Sequence, residues 1–295
     1  MDTNVIIANE RAYWGLSRSR IRRALAFFDK HKYPFSLFKT DHPGHARELA
    51  AEAAAQNAGT IIVMGGDGTL NEVINGVLTS QCKQMPRIGI VPSGSSNDFS
   101  KTLGIGQRLQ QACRIIINGK TRCVDIGQAG SHYFCIASCL GLFSNIAAES
   151  VRIKGLSGSV RYLAAAMKVV VQMNSGWQMT IEADGQTFQG NYGALLISNT
   201  CRFGGLTLAP GARCDDGILD CMLIEMPKKR QALYLALLAM RKALMHHGKV
   251  TVFQAKSLSV SLDRPAMLCN DGEVDPTPVT TIDYRILPKK LQIIC

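Results

Sequence analysis

Ile61-Ile62-Val63-Met64-Gly65-Gly66-Asp67-Gly68-Thr69-Leu70-Asn71-Glu72-Val73 is the stretch on which the reading of this chain turns. An apolar run over 60–64 predicts a buried strand. Three glycines within four residues follow it. Leu70, Val73, Ile74 and Val77 then recur at helical spacing and predict a helix over 69–78. Glycines permit positive φ and close backbone approach, so consecutive N–H groups can converge on an anion, and the helix N-terminus adds its dipole. Strand, glycines, helix is therefore the order of a phosphate-binding loop. It is not a Walker A loop, because no Gly-Lys-Ser/Thr follows, and it is not GxGxxG. The alternative, a turn needing glycine for geometry alone, leaves Asp67 unexplained.

Working outward, an apolar run over 4–8 ends at Asn9, and a helix over 18–29 carries Ile21, Leu25 and Phe28 on one face. A second strand over 34–38 ends at Thr40, and an Ala-rich helix follows over 46–56. Beyond the glycine loop, a strand over 87–91 runs into Pro92-Ser93-Gly94-Ser95-Ser96-Asn97-Asp98-Phe99. Its hydroxyls and asparagine suit a phosphate or ribose; Asn97 or Asp98 also suits the N-cap of a short helix before Leu103, and both readings can hold together. Four polar loops thus fall at the carboxyl ends of alternating strands, the ligand edge of a doubly wound parallel α/β sheet.

The texture changes near residue 122. Strands over 133–138, 178–183, 194–198, 219–224, 250–253 and 258–262 are separated by turn signals such as Asp184-Gly185. Helices over 160–173 and 229–246 interrupt them. This predicts a second, mainly antiparallel β-sandwich domain. The expected division is 1–122 with a returning strand over 287–295, and 123–286.

With 295 residues, 46% of them hydrophobic and 19% charged, the chain can pack a core in each domain, which excludes disordered and coiled-coil classes. The balance of 33 basic against 22 acidic residues, +11, favours anionic partners. Nucleic acid is not among them: there is no recognised binding fold, and aromatics are only 6%. Ten scattered cysteines without a CxxC pair read as small hydrophobes of a reducing, cytoplasmic compartment. His42 and His45, an HxxH on a Pro-Gly turn, read as solvated side chains with no acidic or cysteine partner. The longest apolar run, 232–240, is far short of the roughly 18–20 residues of a membrane span.

The stretch Gly65 to Val73 resembles the nucleotide loop of the diacylglycerol kinase catalytic-domain family, which includes bacterial lipid kinases and the sphingosine and ceramide kinases and is related to NAD kinases. Pro92 to Phe99 resembles the family's second loop, usually Pro-Leu-Gly-Thr-Ala-Asn-Asp-Phe. Asn199 to Pro210, with Arg202-Phe203-Gly204-Gly205, resembles a third segment. Asp215-Asp216-Gly217-Ile218-Leu219-Asp220 and Asp271-Gly272-Glu273 resemble two more, all in order along essentially the whole chain.

The resemblance implies transfer of the γ-phosphoryl group of ATP to a lipid hydroxyl. Carried over by position, Asn9, Thr40, Gly65, Gly66, Asp67, Gly68, Thr69, Leu70, Asn71, Glu72 and Ser95 would hold ATP. Ser95 replaces the usual Thr and keeps its hydroxyl; Ser96 replaces a small apolar residue. A structural Mg2+ site maps to the Asp216 carboxylate and the carbonyls of Arg213 and Ile218, oxygen donors that suit a hard cation; by itself Asp215-Asp216-Gly217 also reads as a plain turn before a strand. The bacterial branch uses the position of Glu273 as general base, and the sphingosine kinase branch the glycine-loop aspartate, here Asp67. Glu273 is taken as the base and Asp67 as the Mg·ATP residue, although Asp271-Gly272 also fits a hairpin turn.

Arg11, Arg18, Arg20, Arg22 and Arg23, and Lys228, Lys229, Arg230, Arg241 and Lys242, suit peripheral docking on an anionic membrane; a solvated surface around a core helix is the other reading. An NAD kinase is the nearest rival, but there the Asn-Glu pair lies well downstream, whereas Asn71-Glu72 follows Thr69-Leu70 directly. A non-catalytic nucleotide- or lipid-binding module is the rival from another class. The acceptor lipid and assembly as a homodimer stay open.

Overall fold

The computed structural model describes residues 4–11, 17–153, 155–156 and 158–295, the side chains of 158 and 159 excepted. The chain divides into two units, Met1–Val124 with Lys289–Cys295, and Asp125–Pro288.

The first unit alternates strands and helices: β1 (Asn4–Ala8), α1 (Ser17–Lys30), β2 (Ser36–Lys39), α2 (His45–Ala55), β3 (Thr60–Gly65), α3 (Asp67–Thr79), β4 (Arg87–Pro92), α4 (Asp98–Thr102), α5 (Leu109–Asn118) and the start of β5 (Thr121–Ala129). Its strands run parallel in the order β2-β1-β3-β4. The last strand of the chain, β17 (Val279–Ile294), ends beside β4 with Ile293 opposite Ile88. Ile6, Ile7, Ile61, Ile62 and Ile88 are fully buried. A parallel sheet covered on both faces needs such runs of branched apolar residues. Ile21, Ala24 and Phe28 of α1 and Cys113 and Ile116 of α5 pack on one side of it. Burial pushes the Cys113 thiol up to about 11, against the lowering influence of Arg20.

The second unit holds β6 (His132–Phe134), β7 (Ala137–Gly141), α6 (Leu142–Arg152), α7 (Gly158–Gln172), β8 (Trp177–Ala183), β9 (Gln186–Ser198), β10 (Arg202–Phe203), β11 (Leu206–Thr207), β12 (Leu219–Glu225), α8 (Lys229–Met240), β13 (Val250–Ala255), β14 (Ser257–Ala266), β15 (Leu268–Asn270) and β16 (Glu273–Val274). The pairings among its strands are antiparallel. The first half of β9 pairs with β8, and its second half lies between β7 and β12. One long strand thereby feeds two faces of a sandwich-like body around Leu140, Ile181, Leu195, Ile197, Val260 and Tyr284.

Two expectations change, and two helices are new. The strand expected over 133–138 is two, β6 and β7, because the amides of Cys135, Ile136 and Ala137 turn toward the Asp271 carboxylate. The helix expected over 229–246 stops at Met240. Lys242 takes the left-handed conformation (φ 58°), while the Lys242 and Ala243 N–H groups donate back to the carbonyls of Ala239 and Leu238. That is a Schellman ending built on lysine instead of glycine. A 3₁₀ turn, Leu244–His246, follows. The helices α5 and α6 had no counterpart in the sequence reading. No helix among the described residues is long and apolar enough to cross a membrane.

Candidate active site

In the first unit the carboxyl ends of the parallel strands finish together. The Asn9 N–H donates to the Met64 carbonyl (2.9 Å), the Thr40 N–H to Ala8 (3.0 Å) and the Ser93 N–H to Gly65 (2.9 Å). The side chain of Asn9 donates to the Thr69 hydroxyl (3.0 Å) and accepts from the Arg11 N–H (3.0 Å). Asn9, Thr69 and the glycine loop are therefore one hydrogen-bonded corner.

The glycines serve proximity. Gly65, Gly66 and Gly94 are not among the residues with positive φ. A Cβ on Gly65 would stand 2.5 Å from Thr69 Cβ, and one on Gly94 would stand 2.4 Å from Gly66 Cα. The two loops thus touch backbone to backbone, closer than any side chain allows. Asn97, itself left-handed at φ 50°, braces the second loop by accepting from the Gly94 N–H and donating to the Gly94 carbonyl, both at 2.9 Å.

The acidic residues of the loop act between elements. Asp67 accepts from the N–H groups of Asp98 (3.0 Å) and Phe99 (3.4 Å). Asn97 stands at the N-cap position of α4, as expected, but its side chain turns back to Gly94, and the capping hydrogen bonds come from Asp67, a carboxylate 31 residues upstream. Glu72 accepts from the Gly44 N–H (3.0 Å) and the Ala46 N–H (3.1 Å), one oxygen to each. Gly44, the N-cap of α2, has no side chain to do this itself. Asn71 accepts from the Asn75 amide, and Leu70 is a core residue, 2% exposed. Ser95 lies half-buried on the second loop. The Ser93 hydroxyl, which the sequence counted only as one of three, is buried with no hydrogen-bond partner.

The turn after Thr40 corrects a reading. His42 and His45 do have an acidic partner, the adjacent Asp41: His45 Nδ1 lies 2.7 Å and His42 Nε2 3.3 Å from Asp41 Oδ1, and the rings stack at 4.6 Å. Their ligand atoms and the Asp41 carboxylate oxygen fall within 4.8 Å of one another.

In the second unit, Asp271-Gly272 forms a two-residue hairpin between β15 and β16, with Asn270 opposite Glu273 and φ of 54° and 95° at the two turn residues. Asp271 is 6% exposed, and its carboxylate accepts from the N–H groups of Cys135 (2.8 Å), Ile136 (2.7 Å) and Ala137 (3.0 Å). Glu273, two residues on, is exposed. Two further polar residues escaped the sequence reading of the site. Asp125 is fully buried and accepts from the Gly217 N–H (2.6 Å). Asn199, also fully buried, donates to the carbonyls of Asp125 and Cys135 (2.9 Å each). A lone acid inside the apolar run Val124-Asp125-Ile126 was the available signal.

The loop over 213–218 is rich in oxygen donors. Asp216 is exposed and accepts from the Ile218 N–H (3.2 Å), and Asp215 pairs with Arg213 (3.3 Å). Burial, with a further contribution from the charge of Asp216, pushes the Asp220 carboxyl above the usual carboxylate range. Of the acids near this turn, Asp125 accepts from the Gly217 N–H, Asp215 pairs with Arg213 and Asp220 accepts from the Gln254 amide, so Asp216, with its neighbouring carbonyls, is the exposed oxygen donor of a kind that suits a hard cation.

An apolar cavity of about 110 Å³ opens among α6, α7 and α8. Phe143, Leu163, Val170, Leu235 and Ala239 are among its walls, and among the described residues Tyr162 is the one lining side chain with a nitrogen or oxygen atom. A Cβ on Gly272 would stand 3.4 Å from the Tyr162 hydroxyl, so this polar corner lies against the Asp271-Gly272 turn.

Residues 3–129 match the diacylglycerol kinase catalytic domain, and residues 139–295 match the YegS C-terminal NAD kinase beta sandwich-like domain. The diacylglycerol kinase of Staphylococcus carnosus is 32% identical over 270 residues, which span 91% of this chain and 87% of that one. The Bacillus subtilis diacylglycerol kinase is 29% identical over 271 residues, 91% of this chain and 88% of that one. A crystal structure of a diacylglycerol kinase from Bacillus anthracis superposes with a TM-score of 0.81 at 22% identity, covering 99% of this chain and 96% of that one; the likeness there is of fold. The match of residues 3–129 and the 32% identity over 91% of the chain place it in the diacylglycerol kinase catalytic-domain family: the chain belongs to that family.

Proposed function

We infer that this protein is an ATP-dependent lipid kinase that phosphorylates the free hydroxyl of a glycerolipid of the diacylglycerol type. One observation carries the acceptor class: an apolar cavity whose polar corner among the described residues, Tyr162, lies against the turn that presents Glu273. Such a cavity takes acyl chain and leaves the hydroxyl at its polar corner, within the same unit as a carboxylate able to accept its proton.

The roles follow from the chemistry. Phosphoryl transfer is governed mainly by positioning and charge neutralisation. The amides at the start of α3, with the hydroxyls of Thr69, Ser93 and Ser95, are donors for the phosphates of ATP; the buried, unpartnered Ser93 hydroxyl supports this. Asp67, half-buried at the start of α3, is the residue for Mg·ATP. Mg2+, when bound, neutralises charge developing on the phosphates. A structural Mg2+ would be held by the Asp216 carboxylate and the carbonyls of Arg213 and Ile218. Glu273 accepts the proton of the lipid hydroxyl as its oxygen attacks. The protein works as a cytoplasmic enzyme at the surface of its lipid.

The test is incubation with ATP labelled in the γ position and, in separate arms, vesicles that carry diacylglycerol, phosphatidylglycerol, ceramide or a long-chain base, or NAD in solution. Label recovered in phosphorylated diacylglycerol is the expected result. Label in another lipid changes the acceptor; label in NAD alone, or in no product, overturns the reading.

A further inference from the structure

Helix α8 is apolar on every side. Ala232, Leu235 and Ala239 face inward and are buried. Leu233, Leu237 and Met240, spaced four and three apart, form a ridge on the opposite face and are 42–46% exposed. A helix apolar all round is ordinarily covered on all sides. Helix α7 repeats the arrangement: Val170 faces inward, while Val160, Met167 and Val171 are 54–70% exposed along one stripe. The two helices pack together through Val170, Met173 and Ala232. Seven of the twelve exposed large hydrophobics among the described residues lie on this pair, Tyr234 being the seventh. Scattered exposed apolar residues are normal, but a concentration of this kind marks an interaction surface.

The charge around the ridge selects the occupant. Neither helix contains an aspartate or a glutamate. Lys228 and Arg230 stand exposed at one end of α8, and Arg241 and Lys242 at the other. Lys168 is occupied by Glu149 (2.6 Å) and Lys229 by the Val171 carbonyl (2.6 Å), so four basic residues border the apolar face. An apolar stripe bordered by cations is the pattern of a helix lying in the headgroup region of an anionic bilayer. A second copy of the same face would bring like charges together. The inner faces of these helices also line the apolar cavity, with Leu163 and Val170 from α7 and Leu235 and Ala239 from α8.

We propose that the outer faces of α7 and α8 seat this unit on an anionic bilayer, and that an acyl chain enters the cavity from that bilayer between the two helices. The proposal rests on the lipid-kinase reading for the cavity's contents, while the docking itself is measured without substrate. The full chain is sedimented with vesicles of phosphatidylcholine alone and of phosphatidylcholine with phosphatidylglycerol, free of diacylglycerol and ATP. Binding should require the anionic lipid and weaken as salt rises. Leu233→Glu with Leu237→Glu, both exposed, should lower vesicle affinity at least tenfold, and Arg230→Glu with Arg241→Glu should do so on anionic vesicles. A thermal melt and turnover of a dispersed short-chain diacylglycerol should stay within twofold of the parent for both pairs. Vesicle binding unchanged by either pair overturns the proposal. So does a parent dimer in sedimentation velocity that becomes monomeric in the Leu233→Glu/Leu237→Glu variant while vesicle binding persists, for the face would then be a contact between copies. Loss of short-chain turnover in the parent itself would instead strike the kinase reading and leave the docking result standing.

Discussion

In the first unit Gly94 lies against Gly66 because two backbones meet; in the second, Gly272 follows Asp271 because a tight hairpin needs positive φ at both positions. The acids beside them differ in the same way. Asp67 and Glu72 each reach out of α3 to tie the start of another helix, whereas Asp271 gathers three amides of a neighbouring connection and leaves Glu273 exposed. Of the acids in the two motifs, the one at the surface is the one assigned to the proton. A motif acid that accepts several backbone N–H bonds holds a corner together, and the exposed one beside it is the one the proposed mechanism uses.

The sharpest break of this contrast is at the hairpin. Asp271→Ala removes the acceptor of three buried amides at once. Leaving buried donors unpaired should cost about 3–5 kcal/mol, or a fall in melting temperature of roughly 10 °C for a unit of this size. A melting temperature within a degree or two of the parent would show that Asp271 is not what holds the connection between β6 and β7.

Glu273→Gln tests the other side of the pair. The side chain is exposed, so the melting temperature should not move, while kcat falls by about 10²–10⁴, the usual contribution of a general base. The KM for ATP should stay near the parent value. Normal turnover in Glu273→Gln, with an Asp67→Asn variant inactive yet still binding nucleotide, would move the base to Asp67.

Gly94→Ala addresses proximity. Its Cβ would stand 2.4 Å from Gly66 Cα and 3.0 Å from Asn97 Oδ1, and the first of these is backbone that cannot swing aside. Overpacking of this kind costs about 1–3 kcal/mol and should part the two loops, raising the KM for ATP along with the loss of stability. Stability and KM both unchanged would mean that the loops adjust without a backbone contact.

The parallel unit was legible because its strands are short apolar runs that end on glycine or a polar residue, and one stretch, Thr60–Gly65 into Asp67–Thr79, carries the pattern in full. Helix α5 could have been read as well, since Leu109, Ala112, Cys113 and Ile116 fall at helical spacing. What could not be read is where each carboxylate goes. Asp67 meets amides 31 and 32 residues away, and Asp271 meets amides 134 to 136 residues away. Those pairings exist only after the elements have packed, and no local spacing encodes them. The left-handed Lys242 that ends α8 is illegible for a related reason: lysine is not a residue that announces positive φ. The apolar outer face of α8 looked like core because hydrophobicity alone does not tell which side is covered.

Glu72 separates the two kinds of acid most finely. Position in the family motif makes it a nucleotide residue, yet each of its oxygens accepts an N–H at the start of α2, from Gly44 and Ala46. Gly44 is the N-cap and has no side chain, so α2 depends on α3 for this cap. In Glu72→Gln one oxygen becomes an amide nitrogen that faces an N–H donor, and one of the two bonds is lost. A cap is worth about 1 kcal/mol, so the melting temperature should fall by only a few degrees. The same cap anchors the turn that follows Thr40, so the KM for ATP should rise two- to threefold while kcat is nearly unchanged. If ATP affinity instead fell more than tenfold with the melting temperature unmoved, Glu72 would be touching nucleotide, and α2 would have to be capped by something else.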